Sequence, residues 1–152
     1  MDYDARSSFV WCATMALNGL IGCGVPQDWA THMIGHEITA YHGLDHAQTL
    51  AIILPNMLWV QRETKREKLL QYAERVWDIR EGSDASRIEQ AIIRTRAFFE
   101  SMGCPTHLSD YAVGSEHFED IVARFEMRKM LPMGERKTLD AAKVREVLAL
   151  AR

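Results

Sequence analysis

The sequence predicts an all-α protein, a helical bundle of about seven helices formed by the single domain 1–152. Three observations predict this fold. Apolar residues recur with the 3.6-residue period of a helix, whereas no segment shows the two-residue alternation of a strand. Glycine and proline separate the periodic segments. Apolar residues make up 47% of the chain and charged residues 26%, which is typical of one globular domain with a buried core.

Three helices are predicted in the first part of the chain. The segment Ser7–Leu20 is apolar on nearly all sides, so we expect it to be a central, buried helix. A second helix is expected over Pro26–His42, with proline in its first turn and Gly43 interrupting it. A third is expected over Asp45–Glu63, with the aspartate as a favourable N-cap and a kink at Pro55.

The remaining helices are predicted from one-sided apolar patterns. In Ser83–Met102 the apolar residues fall on one helical face, and Gly103 ends the run. The segments Lys65–Ile79 and Glu116–Arg128 repeat this pattern. The last helix is expected to follow an N-cap at Thr138.

Charge and cysteine usage exclude several classes of protein. The net charge of −3 provides no positive field to attract nucleic acid or an anionic membrane. The apolar stretches Val10–Val25 and Ala47–Val60 are too short or too interrupted to span a bilayer. Three cysteines, an odd number without a C-x-x-C pair, predict a reduced, cytoplasmic chain, and the acidic start lacks a secretory signal.

Four of the six histidines lie between positions 32 and 46, far above the average density of the chain. His32 and His36 are four residues apart and share a helix face, and His42 and His46 have the same spacing across Gly43. Imidazole is the commonest protein ligand for divalent transition metals. On an unbroken helix, His32 and His46 would lie about 21 Å apart, but a break at Gly43 lets both reach one ion.

Spacing alone leaves two interpretations open. The histidines either hold a metal or are surface and hydrogen-bonded core residues. Glu37 follows His36, but Ala40 stands where the zinc-protease motif H-E-x-x-H needs a second histidine, so that motif fails. No acidic residue has a spacing that identifies it as a further ligand.

The segment Gly19–Pro55 resembles the C-terminal part of the iron-containing alcohol dehydrogenases, and the rest of the chain to Arg152 does so more weakly. The closest branch is that of the NADP-dependent aldehyde reductases and butanol dehydrogenases. The resemblance is carried by the segment H-M-I-G-H-E-I-T-A-Y-H-G-L-D-H-A-Q-T-L-A-I-I-L-P, and Leu69–Trp77 and Pro105–Tyr111 also fit that branch. It implies the dehydroquinate-synthase-like helical C-terminal half. The α/β nucleotide-binding half is lacking, because the chain has no G-x-G-x-x-G or G-G-G-S-x2-D stretch.

The resemblance also implies site residues and partners. The family's ion, iron or sometimes zinc, is held by an Asp and three His and polarises a carbonyl for hydride transfer. His32 and His46 match its third and fourth ligands, and the other two have no counterpart here. His36 matches a residue beside the metal, with a catalytic or cofactor-binding role, whereas His42 has no ligand role. NADP, a small alcohol or aldehyde, the missing N-terminal half and a homodimer are the partners expected for the intact enzyme.

Asp45 is expected to cap a helix rather than to orient His46. Three alternative functions are compatible with these expectations. The chain is the metal-binding C-terminal domain of a dehydrogenase, inactive by itself because it supplies two of four ligands. Alternatively it is a stand-alone helical metal-binding protein, or an interaction module without chemistry that docks through an apolar face.

Overall fold

The computed structural model describes residues 2–152, which form seven α-helices joined by loops. The helices are α1 (Tyr3–Leu17), α2 (Ala30–His42), α3 (His46–Val60), α4 (Arg66–Trp77), α5 (Asp84–Ser101), α6 (Phe118–Met127) and α7 (Ala141–Leu150), with a short 3-10 turn at Leu108–Tyr111. Within residues 2–152 there is no strand, only an isolated bridge between Met133 and Leu139. The predicted all-α bundle of about seven helices is confirmed. None of these helices is long and apolar enough to cross a membrane.

Helix α3 lies at the centre of the bundle. It packs against α2 and α7 on one side and against α5 on the other, and α6 packs on α7 and α2. The main core forms between α2, α3, α6 and α7, and its largest buried side chains include Ile34, Ile38, Ile52, Ile53, Phe125 and Leu148. Burial of this apolar surface is the chief driving force for packing the four helices together. A smaller core joins α4 and α5 to α3.

The turn between α2 and α3 forms as predicted. Gly43 ends α2 in the left-handed conformation, with φ 70°, and its N–H donates to the Thr39 carbonyl at 2.8 Å. Asp45 begins α3, and its backbone N–H donates to Oε1 of Gln48 at 2.9 Å. Pro55 lies inside α3, which runs without interruption past it.

Two predictions about helices were wrong. The N-cap of α7 is Asp140, which accepts a hydrogen bond from the Lys143 N–H at 2.9 Å, and not Thr138. The prediction that Ser7–Leu20 forms a central, buried helix is also wrong, because no residue of α1 is buried. Trp11 is 64% exposed. An apolar helix is buried only where a facing surface exists, and the described residues place none over α1.

A half-buried cluster of charged side chains joins the loops around α2. Nζ of Lys65 lies 2.5 Å from Oδ2 of Asp28 and 2.6 Å from Oε2 of Glu135. Oδ1 of Asp28 accepts from the Ala30 N–H at 2.9 Å, at the start of α2. Burial acts to raise the pKa of Asp28, but hydrogen bonds with Glu135, Lys65 and Ala30 outweigh it and lower that pKa to about 2. The cluster therefore stabilises the fold through a charged carboxylate.

We expect Asp28→Asn to reduce the free energy of unfolding at pH 7 by about 2 kcal/mol. The pKa of Asp28 is lower in the folded than in the unfolded chain, so its stabilisation is present above about pH 4. That stabilisation is lost as pH falls toward about 2. Urea unfolding of both proteins between pH 7 and pH 2 measures this. A difference that stays constant over that range would contradict the assignment.

Candidate metal centre

Helices α2 and α3 approach closely at Gly35. A Cβ atom on residue 35 would lie 3.0 Å from Oγ1 and 3.4 Å from Cβ of Thr49. Both residues are buried, and the Thr49 hydroxyl donates to the carbonyl of His46 at 3.0 Å. The absence of a side chain at position 35 thus lets α3 pack directly against α2.

This approach brings three imidazoles together. The ring centres of His32 and His46 are 5.2 Å apart, those of His36 and His46 are 5.3 Å apart, and those of His32 and His36 are 6.2 Å apart. Two imidazoles that bind one ion through nitrogens at about 2.0–2.1 Å, with a tetrahedral angle, have ring centres about 5 Å apart. The chain therefore turns back at Gly43 as predicted, and His32 and His46 face a common space. We refer to His32, His36 and His46 as the histidine trio.

The trio is set at an open surface. His32 is partly buried, with the edge of Trp29 against its ring at 5.0 Å, while His36 and His46 are exposed. Burial lowers the pKa of His32, and the neighbouring rings of His46 and His36 lower it further. His32 is therefore held in the neutral form that binds metals.

The donor set suits a divalent transition metal but is incomplete. Neutral imidazoles fit zinc and iron, which take three or four protein ligands in catalytic sites. Among residues 2–152, no group of three or more His, Cys, Asp or Glu side chains is arranged to hold a metal ion. The trio by itself therefore does not form a closed metal site.

A buried carboxylate fixes the orientation of α2. Glu37 is 6% exposed, and its Oε1 lies 2.6 Å from Nη1 of Arg128 while its Oε2 lies 3.1 Å from Nε of Arg124. Because both arginines belong to α6 or follow it, these ion pairs set the rotation of α2 about its axis. They consequently set the direction in which His36 projects. Sequence reasoning considered Glu37 only as part of a failed protease motif.

His42 lies apart from the trio. Its ring centre is 5.4 Å from that of His117, which precedes α6. This position agrees with the expectation that His42 has no ligand role beside His32 and His46. Asp45 acts as the N-cap of α3, as expected. Sequence reasoning missed Gly35 and Thr49, although a glycine inside a helix between two histidines was a usable signal.

Comparison with known proteins identifies relatives over nearly the whole chain. The family model for the C-terminal part of the Fe-containing alcohol dehydrogenases matches residues 1–151. The NADPH-dependent aldehyde reductase YqhD of Escherichia coli is 58% identical over 144 residues, which cover 93% of this chain and 37% of that protein. The NADH-dependent butanol dehydrogenase A of Clostridium acetobutylicum is 30% identical, and the match covers 96% of this chain and 38% of that protein.

Solved structures share the fold. The substrate- and cofactor-free form of the E. coli aldehyde reductase YqhD has a TM-score of 0.96 and 55% identity, covering 99% of this chain and 40% of that one. The NADH-dependent butanol dehydrogenase A of Thermotoga maritima has a TM-score of 0.89 and 28% identity, and the match covers 99% of this chain and 39% of that one. The chain spans about two fifths of the length of these relatives.

We expect Glu37→Gln to lower the free energy of unfolding by about 1–3 kcal/mol, because two arginines lose their buried partner. The matched control is Glu119→Gln, which removes a similar pair with Arg145 at the surface. Solvent screens that pair, so the control should be nearly neutral. Chemical denaturation of the three proteins checks this. Equal losses in both variants would show that burial of Glu37 has no special effect.

Gly35→Ala tests the close approach of α2 and α3. Helix propensity favours alanine by about 1 kcal/mol, but overpacking against the buried, hydrogen-bonded Thr49 costs about 1–3 kcal/mol. We therefore expect a net loss of stability in thermal unfolding. In a Thr49→Ala background the same substitution should become neutral or stabilising. A stabilising Gly35→Ala in the native background would be incompatible with the described contact.

Proposed function

Because the chain belongs to the iron-containing alcohol dehydrogenase family, we propose that it acts as the helical, metal-binding C-terminal part of an NAD(P)H-linked aldehyde reductase or alcohol dehydrogenase. The observation that carries this proposal is the 5.2 Å separation of the His32 and His46 rings across the turn at Gly43. NADP is the proposed cofactor, since the relative with 58% identity is described as NADPH-dependent. The proposed substrate class is small aldehydes and the corresponding alcohols.

We propose His32 and His46 as ligands of iron or zinc. Their ring centres are 5.2 Å apart, and the pKa of His32 is lowered in the direction that favours binding. The ion, when bound, supplies a Lewis acid that polarises the carbonyl of the substrate. Trp29 packs edge-on against His32 and restricts the rotation of that ring.

We propose that His36 contacts the cofactor or substrate and holds or passes a proton there. Its ring centre lies 5.3 Å from that of His46, and its side chain is exposed. An imidazole beside the metal ligands can exchange a proton near neutral pH. The ion pairs of the neighbouring Glu37 hold α2 in the orientation that directs His36 toward this side.

The exposed face of α1 supports a docked partner. Its large apolar side chains are open to solvent, as are those of the segment that follows, and they include Phe9, Val10, Trp11, Leu17, Leu20 and Ile21. Many large apolar side chains exposed on one helix and its following segment are typical of a surface that a partner covers. We propose that the nucleotide-binding part of the enzyme, with the helices that carry the remaining ligands, covers it. A homodimer and a cytoplasmic location, the latter supported by three free cysteines, are proposed for the intact enzyme.

A stand-alone metal-binding protein is the second candidate. The observation that favours it is the position of His36, whose ring centre lies 6.2 Å from that of His32 and 5.3 Å from that of His46, so that a small side-chain movement would be needed to bring all three imidazoles to one ion. The two candidates differ in what His36→Ala does to metal content. In an intact dehydrogenase His36 is not a ligand, so His36→Ala should leave the metal content unchanged. In a stand-alone three-histidine site the same substitution should remove the metal.

A chimera tests the function. The first three fifths of the E. coli relative, fused to this chain, should reduce butanal with NADPH and contain iron or zinc. His32→Ala and His46→Ala should each reduce activity and metal content by more than about 100-fold, because loss of an outer-shell residue alone costs about 10- to 100-fold. His107→Ala is the matched control and should have no effect, since His107 lies outside the trio.

The chain alone should neither reduce butanal nor retain a stoichiometric metal. Metal analysis and the decrease of NADPH absorbance measure both properties. Activity of the chain alone would refute the proposal that it is one part of the catalytic unit. A folded chimera that keeps its metal in the His32→Ala/His46→Ala double variant would refute the ligand assignment.

A further inference from the structure

A second pair of imidazoles lies between the end of α2 and the start of α6. His42 is the last residue of α2, and His117 is the N-cap of α6. Their ring centres are 5.4 Å apart, close to the 5.2 Å between His32 and His46. His36 and His42 are six residues apart on one helix, so they lie about 9 Å apart along its axis and on different faces. One ion therefore cannot bridge the trio and this second pair.

Neighbouring groups orient the His117 ring. Its Nδ1 lies 3.1 Å from Oδ2 of Asp120, so this carboxylate orients the ring and leaves Nε2 on the side of the ring away from Asp120. The ring of Tyr41 stacks on His117 with centres 4.5 Å apart, and the guanidinium of Arg124 lies over Tyr41 at 5.3 Å. The arginine is itself paired with Glu37, which it shares with Arg128.

The surrounding charge favours a cation. The carboxylate of Glu116 folds back over Gly114, where any Cβ atom would collide with it. Hydrogen bonds from the backbone of Glu116 and Gly114 lower the pKa of this carboxyl group and outweigh the opposing effect of desolvation, so it carries a negative charge at neutral pH. Burial lowers the pKa of His42, and so does the ring of His117, whereas Glu116 acts to raise it; the net shift favours the neutral form.

We propose that His42 and His117 form a second binding site for a divalent transition-metal ion, in which the ion links the end of α2 to the start of α6. The two imidazoles are the protein ligands, Glu116 supplies a nearby negative charge, and water completes the coordination. A site with two nitrogen ligands and water is open and should follow the general affinity order, with Cu²⁺ bound more tightly than Ni²⁺.

Nickel binding to the chain tests this proposal. The background is His32→Ala/His36→Ala/His46→Ala, which removes the trio. We expect calorimetry to detect one equivalent of Ni²⁺ in this background and the melting temperature to rise with Ni²⁺, because the ion binds the folded state. His117→Ala and His42→Gln, each added to the background, should weaken binding at least tenfold and abolish the rise in melting temperature.

The matched control is His107→Ala. His107 has a carboxylate three residues further on, as His117 has, but its near neighbour is the guanidinium of Arg96. Its loss should leave nickel binding unchanged. Binding that persists after His117→Ala, or that disappears with His107→Ala, would overturn the proposal.

A second measurement does not depend on the folding of any variant. In the native chain, Ni²⁺ should broaden the imidazole resonances of His42 and His117 by its paramagnetism, while that of His107 stays sharp. Spectra of the metal-free chain should show the proton of His117 on Nδ1. Sharp His42 and His117 resonances at saturating Ni²⁺ would overturn the proposal independently of any substitution.

Discussion

The close packing of α2 on α3 is the constraint on which the candidate metal centre depends. A left-handed glycine at position 43 reverses the chain, and the missing side chain at position 35 admits Thr49 of the facing helix. Without the turn, His32 and His46 would lie about 21 Å apart along one helix. With it, their rings are 5.2 Å apart. Two backbone features, neither of which carries chemistry, thus create the space that the imidazoles share.

Helix α2 has one side in the core and another side at the surface. One side carries Ile34 and Ile38 into the core, and Glu37 reaches the arginines of the α6 region. The other side presents His32 and His36 to an open surface. A buried carboxylate is costly unless it is paired, so the two arginines are needed to keep α2 in one rotational setting. Fixing a helix in this way positions a metal ligand more reproducibly than a loop would.

The sequence predicted most of the helices and the convergence of two histidines, because helical period, glycine and capping residues are local signals. It did not predict the exposure of α1 or the buried role of Glu37. The apolar sequence of α1 indicates that another protein surface covers this helix, but it does not identify that surface. Within the described residues Trp11 is open to solvent. The role of Glu37 depends on arginines that are 87 and 91 residues away along the chain.

The amino-acid sequence by itself determined the all-helical fold, the turn at Gly43 and the family, since each depends on residues that are neighbours along the chain. Only the tertiary structure decided that His42 pairs with His117 and that Glu37 pairs with Arg124 and Arg128. The four histidines have similar local surroundings in the sequence. They differ in which distant element packs beside each ring, and that is set by the burial of α2 against α3 and α6.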